Sequence, residues 1–264
     1  MLLAQLTDTH IIEPGVDHDH LLDNIKRLEA AVEGLNGETL APDAIVATGD
    51  LTDHGTEAEM KILADLLEPL QAPVLAIPGN HDVRETFTDC FDLPWASPTN
   101  LSWSLDVGEV RVIGLDTLVP ESHGGRFDDE RREWLDAALD DAAGRRTVLA
   151  MHHPPFLSGI GWMDEMSLDG REAFAEVVAD RPHVDRILCG HLHRPMTTTI
   201  GGVTTTTGIA TAQHIELDLA PGAPVGIICD PGGYQLHHLH DGRWVSHTRY
   251  IETGAEVVRP SWAD

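Results

Sequence analysis

Several short apolar runs in this chain stop abruptly at clusters of Asp, His, Asn and Gly. Leu2 to Leu6 leads into Asp8-Thr9-His10, and Ala44 to Ala47 into Gly49-Asp50. Val74 to Ile77 leads into Gly79-Asn80-His81-Asp82, Thr147 to Met151 into His152-His153, and Val184 to Cys189 into Gly190-His191-Leu192-His193. A short apolar run bounded by turn-forming residues reads as a buried strand. Between the first three runs the apolar residues change to helical spacing. Leu21, Leu22, Ile25, Leu28, Ala31, Val32 and Leu35 form one such face, ending at Asn36-Gly37. Met60, Leu63, Leu66, Leu67 and Leu70 form another, behind Thr56 as N-cap with Glu59 three residues on. Strand–helix–strand crossovers are right-handed and place successive strand ends on one edge. Ligands of open α/β sheets bind outside those ends. Asp8, His10, Asp50, Asn80 and His81 are therefore expected to meet in space.

Further along, Leu101 to Asp106 and Val110 to Leu115 read as a hairpin around Gly108-Glu109. Asp128-Asp129-Glu130 opens a helix whose apolar face includes Trp134, Leu135, Ala138 and Leu139. Residues 156–168 read as a loop, followed by a helix from about Gly170 to Ala179. Beyond Pro195, Met196 to Ile200, Val203 to Ile209, Tyr234 to His240 and Arg243 to Tyr250 read as antiparallel strands. The chain shows no repeat and no obvious linker, so one α/β domain over 1–264 is the simplest organisation, with 196–264 its β-rich C-terminal part.

Composition removes several function classes. Against 44 acidic residues stand 17 Lys and Arg, a formal charge of −27. Sequence-independent binding of a nucleic-acid polymer needs a basic face, which this balance does not provide. No apolar run is long enough to span a bilayer, and the N-terminus has no basic, cleavable leader, so a cytoplasmic location is expected. Cys90, Cys189 and Cys229 are too few and too scattered for a disulfide framework or a zinc ribbon. Bound cations offset only a few carboxylates. The remaining acidity suggests a halophilic surface, screened by high salt.

The strand-end side chains are imidazoles, carboxylates and one amide, a donor set suited to borderline first-row ions such as Mn, Fe or Zn. Two such ions roughly 3.5 Å apart share a carboxylate and activate a water in two-metal phosphatases. These motifs, in this order, resemble the calcineurin-like metallophosphoesterase superfamily. The wording of His152-His153-Pro154-Pro155 and Cys189-Gly190-His191-Leu192-His193 is similar to its class III cyclic nucleotide phosphodiesterases and related glycerophosphodiesterases. The resemblance implies a two-sheet sandwich flanked by helices, with the metals at the strand C-terminal ends. It implies that Asp8, His10 and His193 hold one metal, that Asn80, His152 and His191 hold the other, and that Asp50 bridges them. No expected ligand is missing. His81 matches the family's catalytic histidine and Asn80 helps position the phosphoryl group. The implied chemistry is attack on a small phosphodiester, a 3′,5′-cyclic nucleotide such as cyclic AMP or a glycerophosphodiester, by a hydroxide bridging the two ions. His81 acts there either as general acid or by electrostatic stabilisation alone.

The other histidines have plainer expectations. His214 is a candidate substrate contact, His153 a support for His152, and His18 and His20 border the pocket or are solvated. His237, His238 and His240 alternate along a strand and are read as sheet surface or interface. Asp82 is a candidate partner that orients His81. Asp116 is read as a cap or as support for the site. A homodimer or larger homo-oligomer is expected, with Leu236, Leu239 and Val245 as candidate interface residues. The rival of another class is a metal-bound scaffold without catalysis. Loss of His81 or of a ligand would signal it, and none is lost.

Overall fold

The structure is a computed structural model and describes residues 1–16 and 23–251. The chain begins β1 (Leu2–Leu6), α1 (Asn24–Asn36), β2 (Ala44–Thr48), α2 (Glu57–Leu67), β3 (Val74–Ile77) and α3 (Arg84–Cys90). There follow β4 (Trp103–Val107), β5 (Val110–Leu115), α4 (Asp129–Asp141), β6 (Arg146–Met151), α5 (Gly161–Asp164), α6 (Arg171–Ala179) and β7 (Val184–Cys189). The rest is strand: β8 (Met196–Ile200), β9 (Val203–Thr207), β10 (His214–Ile215), β11 (Ile227–Ile228), β12 (Gly233–His240) and β13 (Arg243–Tyr250).

Two large sheets form, with strand orders β13-β12-β1-β2-β3 and β4-β5-β6-β7-β9-β8, and β10 and β11 pair as a separate two-stranded ribbon. The period of two along each strand builds the layers. In β1 and β2, Leu3, Ala44 and Val46 point between the sheets, where they meet Val112, Val148, Ala150 and Leu188 of the second sheet. Their neighbours Ala4, Leu6, Ile45 and Ala47 point outward against Leu28, Leu35, Leu63 and Leu67 of α1 and α2. On the other side, Ile113, Leu149 and Met151 face Leu135, Leu139, Phe174 and Val178 of α4 and α6. The result is the expected sandwich of two sheets with helices on both outer faces.

Trp103 fixes the spacing of the two sheets. It is fully buried, and its indole N–H donates to the Ala76 carbonyl of β3 at 2.7 Å. Gly114, opposite it on β5, leaves room for the ring. Trp103→Ala should therefore cost about 3–5 kcal/mol. Urea unfolding followed by circular dichroism checks this, and a midpoint unchanged from wild type would contradict it.

The capping box at Thr56 and Glu59 forms as expected. Leu21 and Leu22, expected to start α1, lie outside the described residues, as do His18 and His20. The structure corrects several expectations. α2 ends at Leu67, short of Leu70, and α3 carries no periodic signal in sequence because Phe87 alone anchors its buried face among apolar residues. In the C-terminal part β12 and β13 pair antiparallel, but β9 lies parallel to β7. The short hairpin from β8 into β9 returns the chain along β7 in the same direction. His237 is buried rather than on the surface, with Nδ1 2.8 Å from Ser246 Oγ and Nε2 3.1 Å from Gln5 Oε1. Leu236 and Leu239 belong to the core, and of the three candidate interface residues Val245 alone is exposed.

Candidate metal centre

The parallel strands β1, β2 and β3 of one sheet, and β6 and β7 of the other, end at the same edge. Asp8, His10, Asp50, Asn80, His81, His152, His191 and His193 follow those ends. The backbone there is unusual. Asp8, His10, Asp50, His191 and His193 all have positive φ, between 42° and 71°. L-residues pay roughly 1–2 kcal/mol each for this conformation. Such outliers concentrate where geometry serves function, and here each turns a strand-end side chain back over the edge of the sheet. Glycines leave the needed space. A Cβ on Gly79 would overlap the Asp50 carboxylate, and one on Gly49 would lie 2.7 Å from His152 Nδ1.

The imidazoles are held by their outer nitrogens. His152 Nδ1 donates to the Thr48 carbonyl at 2.8 Å, His193 Nδ1 to the Gln213 carbonyl at 2.6 Å, and His191 Nε2 to the Met166 carbonyl at 3.1 Å. His10 Nδ1 sits 2.9 Å from the Asp53 carboxylate. With those protons spoken for, the inner nitrogens carry lone pairs. His10 Nε2 and His193 Nε2 are only 3.1 Å apart, and His193 Nε2 is 3.4 Å from Asp8 Oδ1. His152 Nε2 lies 3.2 Å from both Asp50 Oδ2 and Asn80 Oδ1, and His191 Nδ1 lies 3.1 Å from Asn80 Oδ1. Lone pairs converging without hydrogens between them repel unless a cation lies among them. Outer nitrogens bound to carbonyls or carboxylates are what metal-ligating histidines show. The residues thus fit a pair of divalent cations, and the cluster could hold a dinuclear site.

Protonation follows the same geometry. Burial pushes Asp8 up to about 6, and the Asp50 charge adds to this. Burial also acts on Asp50, but His152, His81 and His10 outweigh it and hold its carboxyl well below the usual range. Burial presses His193 down to about 4. His152 behaves oppositely: burial opposes its charge, yet Asp50 beside it lifts it to about 9, so a positive charge, whether a proton or a cation, is favoured between its Nε2 and the Asp50 carboxylate.

Three groupings of potential ligands emerge among the described residues: Asp8, His10, Asp50 and His193; His152, His153 and His191; and His10, Asp53 and His81. His153 differs from its neighbours because both ring nitrogens already have protein partners, the Thr117 hydroxyl at 2.8 Å and the His123 carbonyl at 3.2 Å. Its place is to pack the His152 and His191 rings, at centroid distances of 4.9 and 4.8 Å. His81 stands at the rim. Its backbone N–H donates to Asp50 Oδ1 at 2.9 Å and its Nδ1–H to the Asp53 carbonyl at 2.8 Å, which leaves Nε2 for the cavity. Burial lowers its basicity, but the Asp50 charge and the Asp53 carbonyl prevail, so its pKa is raised.

Sequence reasoning missed Asp53, which holds His10 through its carboxylate and His81 through its carbonyl. Its position three residues after Asp50 was the available signal. Asp82, proposed to orient His81, instead accepts from the backbone N–H of Gly79, Leu51 and Thr52 and from the Thr52 hydroxyl, and so ties the second and third strand ends together. Asp116 is fully buried and pairs with Arg84. His214 stands apart from the cluster, buried, with Nε2 3.4 Å from the Ala210 carbonyl. A cavity of about 830 Å³ opens from Asn80 and His81 and is walled by Asp53, Val83, Leu118, Val119, His123 and Arg126, among others. His214 is not part of that wall.

A sandwich with paired cation sites at one sheet edge is the architecture of two-metal phosphoester hydrolases, which use it to polarise a phosphoryl group and a water together. The chain belongs to the calcineurin-like phosphoesterase family, which it matches over residues 1–195. It is 32% identical to a probable glycerophosphodiester phosphodiesterase of Arcobacter nitrofigilis, over 95% of this chain and 93% of that one. It is 33% identical to a cAMP/cGMP dual specificity phosphodiesterase of Mycobacterium tuberculosis, over 85% of this chain and 72% of the relative. A dimetal phosphatase from Danio rerio shares the fold, with a TM-score of 0.71 at 15% identity, over 95% of this chain and 96% of that one.

Proposed function

We propose that this protein hydrolyses small phosphodiesters at a dinuclear centre, with cyclic AMP as first candidate and glycerophosphodiesters as second. The single observation that carries this reading is the position of Asp50. Its Oδ2 lies 3.2 Å from His152 Nε2 and 3.8 Å from His10 Nε2, so one oxygen faces both groups of imidazoles. Asp8, His10 and His193 would hold one ion, Asn80, His152 and His191 the other, and Asp50 both. The donor set suits Mn, Fe or Zn, which supply Lewis acidity and a water made nucleophilic near neutral pH.

The chain's own residues then have defined work. Asn80, beside His152 and His191, and the His81 backbone, anchored on Asp50, orient the phosphoryl group at the mouth of the cavity. His81 Nε2, freed by the Nδ1–H bond to Asp53, faces the side from which the alcohol departs. It delivers a proton to that oxygen or stabilises its charge. A cavity of this size has room for a nucleotide or a glycerol head group. Both curated relatives named above are phosphodiesterases, which supports a diester over a monoester.

The test is to strip the metal, restore Mn²⁺, and measure hydrolysis of cyclic AMP, glycerophosphocholine and bis(p-nitrophenyl) phosphate in molar KCl. Cleavage of cyclic AMP by loaded but not stripped protein is the expected result. Cleavage of the glycerol diester without cyclic AMP shifts the substrate to the second candidate. Folded, metal-loaded protein inert to all three is a scaffold.

We further propose a halophilic, cytoplasmic, homo-oligomeric protein. The formal charge of −27 supports the first, and the unpaired thiols Cys90, Cys189 and Cys229 suit a reducing compartment. Leu217, Leu219, Val225 and Ile227, exposed around the β10–β11 ribbon, offer an apolar surface for self-association, which light scattering checks. The melting temperature should rise between dilute buffer and molar KCl, because salt screens like charges on the surface. A flat or falling temperature contradicts the halophilic reading.

A further inference from the structure

The cavity beyond His81 has three arginines in its wall, and two of them are occupied. Arg84 forms a fork on Asp116, with Nε 2.6 Å from Oδ2 and Nη2 2.9 Å from Oδ1, and also donates to the Leu118 carbonyl. Arg131 pairs with Asp128 at 2.8 Å and donates to the carbonyls of Asp116 and Leu118. Both are structural: they hold the segment after β5 to α3 and α4. Arg126 is different. Its guanidinium is exposed to the cavity and makes no ion pair or side-chain hydrogen bond to any described residue.

The base of Arg126 is nevertheless fixed. Its N–H donates to the Thr117 carbonyl at 2.9 Å, and it bridges to Asp169 as part of a short parallel contact. On one side Gly125 presses against the His153 ring, and on the other Phe127 is buried. His123, on the same segment, sets its ring 5.8 Å from that of His81. An anchored backbone therefore carries a guanidinium without a side-chain partner among the described residues into the same cavity that His81 borders. In a chain with so few cations, a guanidinium left without a carboxylate partner in such a cavity is a site for a ligand's acceptors.

We infer that Arg126 is a specificity-determining residue that pairs with an anionic group on the alcohol half of the diester. This rests on the diesterase reading above in its second form, a glycerophosphodiester rather than cyclic AMP as substrate. The reacting phosphate belongs at the metal centre, on the inner side of His81, and the departing alcohol extends past His81 along the segment that carries His123 and Arg126. Glu85, Glu121 and Glu130 line the same cavity, exposed and without ion-pair partners among the described residues. They disfavour an alcohol that is simply anionic and suit one whose carboxylate is accompanied by an ammonium. The substrate class is thus the phosphodiester of a zwitterionic amino alcohol.

Glycerophosphoserine and glycerophosphoethanolamine differ by one carboxylate and provide the test. With Mn²⁺-loaded protein, the kcat/KM ratio of the serine to the ethanolamine diester should be about ten, the worth of one charge-assisted contact at a partly exposed position. Arg126→Ala should bring the ratio to about one, acting mainly through KM, and Arg126→Lys should restore part of it. A ratio that is the same in wild type and Arg126→Ala overturns the assignment, as does a wild-type preference for the ethanolamine diester or equal loss on both substrates. Hydrolysis of bis(p-nitrophenyl) phosphate by wild type separates the two readings. If it is cleaved and the ratio does not move, Arg126 alone is misassigned. If it is not cleaved, the diesterase reading falls and the Arg126 assignment with it.

Discussion

Replacing Asp50 by alanine should empty both halves of the metal centre and lower kcat/KM for any diester by at least about a thousand-fold. The carboxylate is nearly fully buried and faces both groups of imidazoles with one oxygen. Removing it leaves one group with two imidazoles and the carboxylate of Asp8 and the other with two imidazoles and the amide of Asn80, a weak set for two divalent ions. Two cations side by side repel, and a shared anion is what offsets that repulsion. Loss of several kcal/mol of transition-state stabilisation, at about 1.4 kcal/mol per factor of ten, gives the stated size. Metal content by inductively coupled plasma mass spectrometry decides the matter. Two ions per chain in Asp50→Ala would remove the bridging assignment. The variant also loses the acceptor of the His81 N–H, so circular dichroism must show that it is folded before the metal count is read.

His81→Ala should give the complementary result, keeping the metals and lowering kcat by about 10²–10⁴-fold. Its Nδ1 is occupied by the Asp53 carbonyl and its Nε2 faces the cavity, so the ring is poised on the substrate side. The main-chain bond from residue 81 to Asp50 survives the change. Aryl diesters with good leaving groups should be affected least, because they need no proton on departure, whereas alkyl diesters should lose the full factor. Equal losses on both would assign His81 to electrostatic stabilisation alone. Unchanged turnover on alkyl diesters would leave it without a chemical role. The same variant separates metal binding from catalysis, which Asp50→Ala cannot do.

The strand-end motifs were legible because each is local. A short apolar run, a turn-forming glycine and a ligand-type side chain lie within a few residues, and the topology of right-handed crossovers brings their ends to one edge. The resemblance to a known family rested on the same words. The capping box of α2 and the hairpin of β4 and β5 were legible for the same reason, since each is written in adjacent residues. Position along the chain said much less about the β-rich tail. Whether β9 runs with or against β7, and whether His237 faces solvent or Gln5, depends on which strand it finds as a neighbour.

By itself, then, the sequence determined the layered α/β class and the set of side chains at one sheet edge. Tertiary structure alone decided which nitrogen of each histidine faces inward, through carbonyls such as those of Thr48, Gln213 and Met166. It also decided that Asp53 serves two histidines, that Asp82 braces the turns, and that Arg126, in the cavity wall, has no side-chain partner among the described residues. The physical reason is distance along the chain. His10 and His193 are separated by 183 residues, and their approach to 3.1 Å exists only after two sheets have packed. Backbone carbonyls carry no residue-type signature, so no reading of side-chain identity could have found the groups that orient the site.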